Sequence, residues 1–293
     1  MADPTKRLDS NVPGNFYVDA TCINCDTCRQ LAASSFEEIG DYSAVSRQPD
    51  EPEQVQQAYQ ALLACPVGSI GTEHNDKSQL QTAMASFPLP LENGVSYCGF
   101  NSEKSFGANS FFIEHPDGNW LIDSPRHIKH LVEAFERRGG IAHIFLTHKD
   151  DVADADKYAA YFGAKRIIHR ADLEAAPSAE WVIQGEETIG IGPEFQIIPV
   201  PGHTAGSMVL LYRERFLFAG DHLWWDPHTR SLEAPTRLIW KRWTLMDSIR
   251  KLLDYPFEWV LAGHGDRICL PPSEMRAQLQ ALVERREKGG RLR

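Results

Sequence analysis

The sequence predicts two domains: a small cysteine-bearing domain of mixed helix and strand, then a larger α/β sandwich of sheet layers covered by helices. Three observations support this prediction. Four of the six cysteines fall within residues 22–65. The rest of the chain begins with strands and then alternates strands with helices, which is typical of sheets packed beneath helices. Within that part, four apolar strands each end at a histidine or an aspartate.

Composition limits the kinds of partner that we expect. At 293 residues with 42% hydrophobic content, the chain is long enough for two ordinary cores. Its net charge of −10 argues against a nucleic acid partner. No stretch has the roughly 18 uncharged apolar residues of a membrane span, and residues 1–10 lack the apolar core of a signal peptide. We therefore expect a cytoplasmic protein that acts on a small-molecule substrate, without a membrane partner.

The first domain is expected to span residues 1–75. A short strand at residues 16–19 leads into three equally spaced cysteines, Cys22, Cys25 and Cys28. A helix then starts near Asp50 and carries an apolar stripe. It ends at Cys65, because the proline that follows cannot continue a helix. The helix should therefore deliver Cys65 to the same place as the other three cysteines.

The cysteine spacing, Cys-x2-Cys-x2-Cys with a distant Cys-Pro, fits one [4Fe-4S] cluster held by four thiolates. Residues 29–32 lack the continuation that would begin a second cluster. The alternative is a structural zinc site, but zinc sites favour two separated Cys-x2-Cys pairs. Over about residues 14–73 the pattern resembles bacterial-type ferredoxins. The resemblance implies a ferredoxin-like α+β fold and a role in electron transfer.

The acidic residues are concentrated in the first domain. Residues 1–75 carry four Lys/Arg against eleven Asp/Glu. Exposed charge of one sign attracts and orients a partner of the opposite sign. We therefore predict that the cluster domain docks a redox partner protein through an acidic face. The oligomeric state does not follow from the sequence.

The second domain is expected to follow an interdomain linker. Residues 76–90 are polar and then proline-containing, with no clear period, and are interpreted as that linker. The second domain then spans residues 91–293. Among its helices, one is predicted at residues 238–253, carrying Trp240 and Trp243. The aromatic side chains of the loop at residues 222–228 are expected to pack on this helix; the alternative is that they wall a substrate pocket beside a metal.

Four apolar strands of this domain end at possible metal ligands. The strands run into His148, His203, Asp221 and His264. A strand ending of this kind places ligands on loops that a rigid sheet holds in position. One such ending would more often be a helix cap or a histidine satisfied by hydrogen bonds. Four of them together indicate a shared metal.

These endings resemble the motifs of the metallo-β-lactamase superfamily over about residues 91–293, which implies an αβ/βα sandwich. The family's first motif is Thr-His-x-His-x-Asp-His, and His148 is its leading histidine. Asp150 stands where the second histidine is expected. Val152 and Ala153 stand where the family has the Asp and His that hold a second metal. The later motifs, which contain His203, Asp221 and His264, are intact.

The resemblance implies that His148, His203 and Asp221 hold a single metal ion. Two imidazoles and one carboxylate with open positions are typical of non-haem Fe(II), and zinc is the alternative. Asp150 is interpreted as a fourth ligand or as an acceptor that orients His148. The family subset with one iron, such as the persulfide dioxygenases, has a similar site.

Two side chains are candidate catalytic residues, His264 and Asp150. His264 would contact the substrate or metal-bound water, or else it stabilises its loop. Should a second ion bind, the expected ligands are Asp150, Asp151 or Asp154. For Asp154 the alternative is to cap the helix that starts there.

Three classes of function remain open at this point. In the first, the ion is redox-active iron and the cluster exchanges electrons with it. In the second, zinc or iron acts as a Lewis acid in hydrolysis, and the cluster is structural or a sensor. In the third, the protein is a non-catalytic redox sensor. Because thiolate clusters usually serve electron transfer and iron suits both sites, we predict the first class.

Overall fold

The structure is a computed structural model that describes residues 2–290. The chain forms two compact units. Unit 1 comprises Met1–Ala142 and Ala153–Gly163, and unit 2 comprises His143–Val152 and Ala164–Arg293. The four clustered cysteines therefore lie in unit 1, and the predicted metal ligands of the second domain lie in unit 2.

Unit 1 contains eight strands and five α-helices within the described residues. The strands are β1 (Phe16–Val18), β2 (Phe36–Ile39), β3 (Tyr42–Val45), β4 (Ile70–Thr72), β5 (Leu89–Glu92), β6 (Val95–Tyr97), β7 (Phe111–Ile113) and β8 (Trp120–Ile122). The helices are α1 (Thr27–Leu31), α2 (Pro52–Ala64), α3 (Lys77–Ala85), α4 (Lys129–Glu136) and α5 (Ala155–Phe162).

Antiparallel pairing organises unit 1. Strand β1 pairs with β4, β2 pairs with β3, and β5 to β8 form a meander. The Phe16 and Tyr59 rings pack edge-to-face with centroids 5.0 Å apart, which fixes α2 against β1. Helix α2 ends at Ala64, so the prediction that it delivers Cys65 at its carboxyl end is confirmed.

The segment predicted as a linker contains a helix that its polar sequence did not indicate. Helix α3 is capped by Asp76, whose side chain accepts hydrogen bonds from the backbone N–H groups of Ser78 and Gln79. Gln60 of α2 donates to the Ser86 hydroxyl at 3.0 Å, directly after α3. The capping aspartate, rather than an apolar stripe, therefore explains why this segment is helical.

Unit 2 contains eleven strands and two α-helices within the described residues. The strands are β9 (His143–Phe145), β10 (Lys165–His169), β11 (Trp181–Ile183), β12 (Ile189–Ile191), β13 (Phe195–Pro199), β14 (Met208–Tyr212), β15 (Phe216–Gly220), β16 (Trp224–Asp226), β17 (Ser231–Glu233), β18 (Trp259–Ala262) and β19 (Ile268–Cys269). The helices are α6 (Arg242–Lys251) and α7 (Pro272–Gly290).

The sheet order of unit 2 brings the ligand-bearing strand ends together. Strands β9, β10 and β11 are parallel, and a six-stranded sheet has the order β12-β13-β14-β15-β18-β19. Within that sheet β15 and β18 run parallel, so the residues after both strands emerge at the same edge. One face of the sheet packs on α6 and α7 through fully buried side chains such as Ile198, Leu217 and Leu282. Each such burial stabilises the fold by about 1.5–3 kcal/mol.

The helix predicted at residues 238–253 begins later and presents different residues to the core. Helix α6 starts at Arg242, and its buried face carries Leu245, Met246 and Ile249. Trp240 precedes the helix and Trp243 lies opposite that face, so the two side chains are 56% and 70% exposed. Trp225 of the loop that was expected to pack on this helix does contact the core that α6 helps to form, but Trp240 and Trp243 remain exposed. No helix in the described part of the chain has both the length and the apolar character needed to cross a membrane.

Candidate metal centres

The four predicted cluster ligands surround one small cavity in unit 1. Cys22 and Cys25 lie on the loop between β1 and α1, Cys28 lies in α1, and Cys65 follows α2. All four line the same cavity. The loop winds tightly because Asn24 and Asp26 adopt positive φ angles of 56° and 63°, a conformation that Asn and Asp tolerate better than most residues.

Hydrogen bonds to three of the sulfurs fit thiolate ligands of a cluster. The backbone N–H of Asn24 donates to Cys22 Sγ at 3.4 Å, and that of Ser69 donates to Cys65 Sγ at 3.3 Å. The Thr27 hydroxyl lies 3.4 Å from Cys25 Sγ. Burial raises the pKa of Cys25 to about 12. Such thiols release their protons when a metal binds, and donors aimed at the sulfurs favour the resulting thiolates.

Residues beyond the cysteine segment contact the predicted cluster ligands within unit 1. Gly107 packs so closely on Cys25 that an added Cβ would lie 2.9 Å from Sγ. The Arg126 guanidinium donates to the Leu63 carbonyl at 2.8 Å and to the Cys65 carbonyl at 3.3 Å. Burial lowers the pKa of Arg126, and Cys65 raises it. A half-buried cation therefore lies beside a predicted cluster ligand, a feature that cysteine spacing could not reveal.

His148 is the first of the predicted metal ligands in unit 2. It is buried at the end of the segment that continues β9, and the Thr147 hydroxyl lies 2.9 Å from its Nδ1. The backbone carbonyl of Thr147 accepts a hydrogen bond from the backbone N–H of Met208 at 2.8 Å, which fixes the loop to β14. With Nδ1 engaged by the hydroxyl, Nε2 is the nitrogen that is directed to a metal.

The other predicted ligands converge on His148 Nε2. This atom lies 3.8 Å from Oδ2 of both Asp150 and Asp221, and His203 Nε2 lies 3.5 Å and 3.7 Å from the same two oxygens. Ligand atoms bound at about 2.1 Å in a tetrahedron are about 3.4 Å apart. The structure therefore brings His148, His203 and Asp221 together at spacings that suit one ion, and Asp150 approaches the same two imidazoles from an exposed position.

The chemistry of the donors also fits a metal. Within the described residues, the buried His148 Nε2 and both ring nitrogens of His203 have no hydrogen-bond partner. Burial lowers the pKa of His148, although Asp221 raises it. Burial raises the pKa of Asp221, but His264 and the other imidazoles outweigh this effect and hold the pKa below its usual value. A neutral His148 imidazole beside an ionised Asp221 carboxylate is the protonation state that binds a cation.

A second group forms around His264, and it includes Asp151, which the sequence analysis considered only as a ligand of a second ion. His264 Nδ1 lies 2.8 Å from Asp221 Oδ1. The buried Asp151 joins them, and one ligand atom from each of the three lies within 4.8 Å of the others. An added Cβ on Gly263 would lie 2.8 Å from oxygens of both aspartates. Asp151 thus supplies a carboxylate directly before Val152, where the family's own ligand is missing.

Asp154, the third carboxylate considered for a second ion, has a different role. Its Oδ2 accepts a hydrogen bond from the backbone N–H of His127 at 2.9 Å, and its Oδ1 accepts one from Lys104 Nζ at 2.6 Å. Although Asp154 occupies the N-cap position of α5, its side chain makes no capping hydrogen bond. The expectation that this side chain caps α5 was therefore wrong, whereas its role as a ligand of a second ion stays a prediction.

Asp172 is a buried carboxylate that the sequence analysis missed. Its Oδ2 accepts the backbone N–H of Lys149 at 3.1 Å and the Thr204 hydroxyl, and its Oδ1 accepts the backbone N–H of Gly206 at 3.1 Å. One side chain thus contacts the loops that follow His148 and His203. No local motif marks Asp172, because these contacts join residues more than twenty positions apart.

Two family models match the chain. The model described as "4Fe-4S single cluster domain of Ferredoxin I" matches residues 18–72, and the model described as "Metallo-beta-lactamase superfamily" matches residues 90–283. The first match contains all four clustered cysteines, and the second contains every predicted ligand of the unit 2 site. Recognition of both regions from their motifs is confirmed.

Individual relatives cover the second region. A hydroxyacylglutathione hydrolase from Acidiphilium cryptum (strain JF-5) is 30% identical over 118 residues, covering 39% of this chain and 48% of that protein. The chain therefore spans about half the length of that relative. The uncharacterized protein YobT from Bacillus subtilis (strain 168) is 26% identical over 218 residues, covering 60% of this chain and 90% of that protein.

A solved structure supports the fold. The crystal structure of a metallo-beta-lactamase family protein from Thermus thermophilus has a TM-score of 0.50 at 14% identity, covering 68% of this chain and 81% of that chain. At this identity the likeness concerns the fold alone. It agrees with the family match in giving the αβ/βα sandwich that the motifs implied.

Proposed function

The chain belongs to the metallo-β-lactamase superfamily, and we propose that it is an iron–sulfur metalloprotein that carries out redox chemistry on a small substrate. In this proposal a [4Fe-4S] cluster exchanges electrons with a mononuclear iron site. One observation carries it: a cavity lined by four cysteines and a site of two imidazoles and two carboxylates occur in the same chain. Iron is the metal that suits both donor sets.

Four residues would hold the mononuclear iron: His148, His203, Asp221 and Asp150. Iron in such a site supplies one-electron chemistry and open coordination positions. Asp150 is 56% exposed, so it reaches both the donor set and the solvent. It is therefore suited to accept a proton from an entering substrate. His264 would orient Asp221 through their hydrogen bond, and its ring is accessible enough to contact the substrate.

The cluster would occupy a ferredoxin-like domain of residues 1–75, joined through residues 76–90 to the domain of residues 91–293. The match to a single-cluster family model and the donors aimed at Cys22, Cys25 and Cys65 support this assignment. A redox partner protein would approach the acidic part of this domain. The alternative of a structural zinc site is less consistent with three equally spaced cysteines in one short segment.

The test is spectroscopic and does not need a known substrate. Protein purified without oxygen is treated with nitric oxide, which gives a characteristic spin-3/2 signal on mononuclear non-haem Fe(II). We expect this signal in wild-type protein and its loss in His203→Ala, while the absorption from the cluster, recorded before nitric oxide is added, is the same in both. A wild-type protein without the signal, but with one zinc per chain, would refute the redox assignment.

Hydrolysis is the second candidate, and two observations favour it. The relatives that the chain matches include hydroxyacylglutathione hydrolases, and Asp151, Asp221 and His264 form a second group able to hold an ion. A metal there and at the first group would lower the pKa of bound water for attack on a thioester. The test is release of glutathione from a hydroxyacylglutathione by zinc-loaded protein, with His148→Ala as the control.

A further inference from the structure

Unit 2 contains a cavity that is separate from the residues proposed to hold metal. Its volume is about 300 Å³, which lies at the lower end of the range for small-molecule sites. Apolar side chains of α6 form one side, namely Leu245, Met246 and Ile249. Ile239 and Pro235, from the segment before α6, also line it. Two guanidinium groups, Arg242 and Arg286, complete the wall.

The charges at this cavity favour an anion. The Glu233 carboxylate forms ion pairs with the guanidinium groups of Arg285, at 2.9 Å, and Arg286, at 3.1 Å. Burial lowers the pKa of Arg286, Glu233 raises it, and Arg285 and Arg242 lower it again. Arg285 and Arg286 therefore share one carboxylate, and Arg242 adds a further positive charge that acts on Arg286. This local excess of positive charge contrasts with the chain's net charge of −10.

The cavity wall is connected to the loop that carries His203. The backbone N–H of Trp240 donates to the His203 carbonyl at 2.9 Å, and that of Lys241 donates to the Gly202 carbonyl at 3.2 Å. Gly202 packs on Leu245, since an added Cβ would lie 2.5 Å from Leu245 Cα. A molecule in this cavity would therefore lie one residue layer from the proposed metal site.

Large apolar side chains are exposed on the segment that forms the wall. Leu238 is 85% exposed, and Trp240 and Trp243 are exposed as well. Exposed aromatic and aliphatic groups beside a cavity commonly mark a binding site. Here they alternate along the chain with Ile239 and Arg242, which line the cavity.

We propose that this cavity binds a small molecule that joins a carboxylate or similar anion to an apolar chain. Arg242 and Arg286 would hold the anion by charge-assisted hydrogen bonds, and Leu245, Met246 and Ile249 would contact the chain. The site goes beyond the proposed redox function, because its residues are not metal ligands. A soluble acyl carboxylate fits this combination of charge and apolar lining.

The test measures the binding of decanoate to the full-length protein by calorimetry. Decanol, which has the same chain length but no charge, is the comparison ligand. We expect one decanoate per chain and at least tenfold weaker binding of decanol. Arg242→Gln should weaken decanoate binding at least tenfold, because the anion loses a charged donor. Arg250→Gln is the control, since Arg250 lies on the same helix but pairs with Asp247 and Glu287. Equal affinity for decanoate and decanol would overturn the proposal.

Two further variants keep the result interpretable. Thr236→Trp adds bulk from an exposed position on the cavity wall, so it should block decanoate without disturbing the core. His203→Ala removes a proposed metal ligand and should leave decanoate binding within twofold. Loss of binding in His203→Ala would mean that the carboxylate binds at the metal, which contradicts the proposal. Binding to phosphatidylglycerol vesicles in the absence of decanoate binding would instead indicate a lipid surface and would also contradict it.

Discussion

Asp172 accepts a hydrogen bond from the Thr204 hydroxyl at 2.5 Å, in a buried position where both oxygens of the carboxylate are engaged. The same side chain accepts the backbone N–H of Lys149. The residues before Lys149 and Thr204 are the two proposed imidazole ligands, His148 and His203. Asp172 therefore sets the relative position of the two loops that carry them, although it is not itself a ligand.

Removing the charge of Asp172 should weaken the metal site. We expect Asp172→Asn to reduce the metal affinity of unit 2 by about ten- to one-hundredfold, as seen for residues that orient ligands. The change replaces one acceptor oxygen with a donor that faces backbone N–H groups. Competition with a chelator measures the affinity. Glu174→Gln is the matched control, because Glu174 lies on the same turn but is exposed and pairs with Lys149 Nζ. Equal affinities in the two variants would contradict the assigned role.

The cluster assignment is tested at Cys25. Anaerobic wild-type protein should be brown, and Cys25→Ser should lose that colour together with iron and sulfide, because a neutral hydroxyl is a poor cluster ligand. Cys269→Ser is the control, since this cysteine lies in β19 of unit 2. Unchanged iron and sulfide in Cys25→Ser would disprove the assignment.

Arg126 should raise the reduction potential of the cluster. Its guanidinium lies against the carbonyl of Cys65, and a nearby positive charge stabilises the more negative, reduced form. Arg126→Gln should therefore shift the midpoint potential to a more negative value in a redox titration followed by electron paramagnetic resonance. Arg137→Gln removes an exposed charge from the same unit and should leave the potential unchanged. Identical potentials in both variants would exclude electrostatic tuning by Arg126.

Electron exchange at the cluster domain should depend on salt. Three exposed carboxylates, Glu37, Glu38 and Asp41, lie on the hairpin of β2 and β3, and Glu38 accepts a hydrogen bond from Asn24 of the cysteine loop. Oxidation of the reduced cluster by the cation hexaammineruthenium(III) should slow as salt rises, because screening acts over about 10 Å at 0.1 M. Ferricyanide, an anion, should show the opposite trend. Rates independent of salt would count against an acidic docking face.

The ligand residues could be predicted from the sequence because each lies in a short motif beside a strand or helix end. The equal spacing of Cys22, Cys25 and Cys28 requires only a local loop. His148, His203 and Asp221 follow apolar strands, and strand order brings them together. Asp151 could be named only as one of three candidate carboxylates for a second ion, and Asp172 was not identified at all. Their roles depend on which loops the fold places beside them, and nothing in their immediate neighbours specifies those contacts.

The most direct test of the single-iron proposal is the metal and sulfide content of protein purified without oxygen, compared with His203→Ala and His264→Ala. We expect five irons and four sulfides per wild-type chain. His203→Ala should lose one iron because it removes an imidazole from the four-ligand set, whereas His264→Ala should keep most of it. Two fully occupied metals in unit 2, visible by anomalous scattering, would contradict the single-iron site and would indicate that Asp151 ligates a second ion.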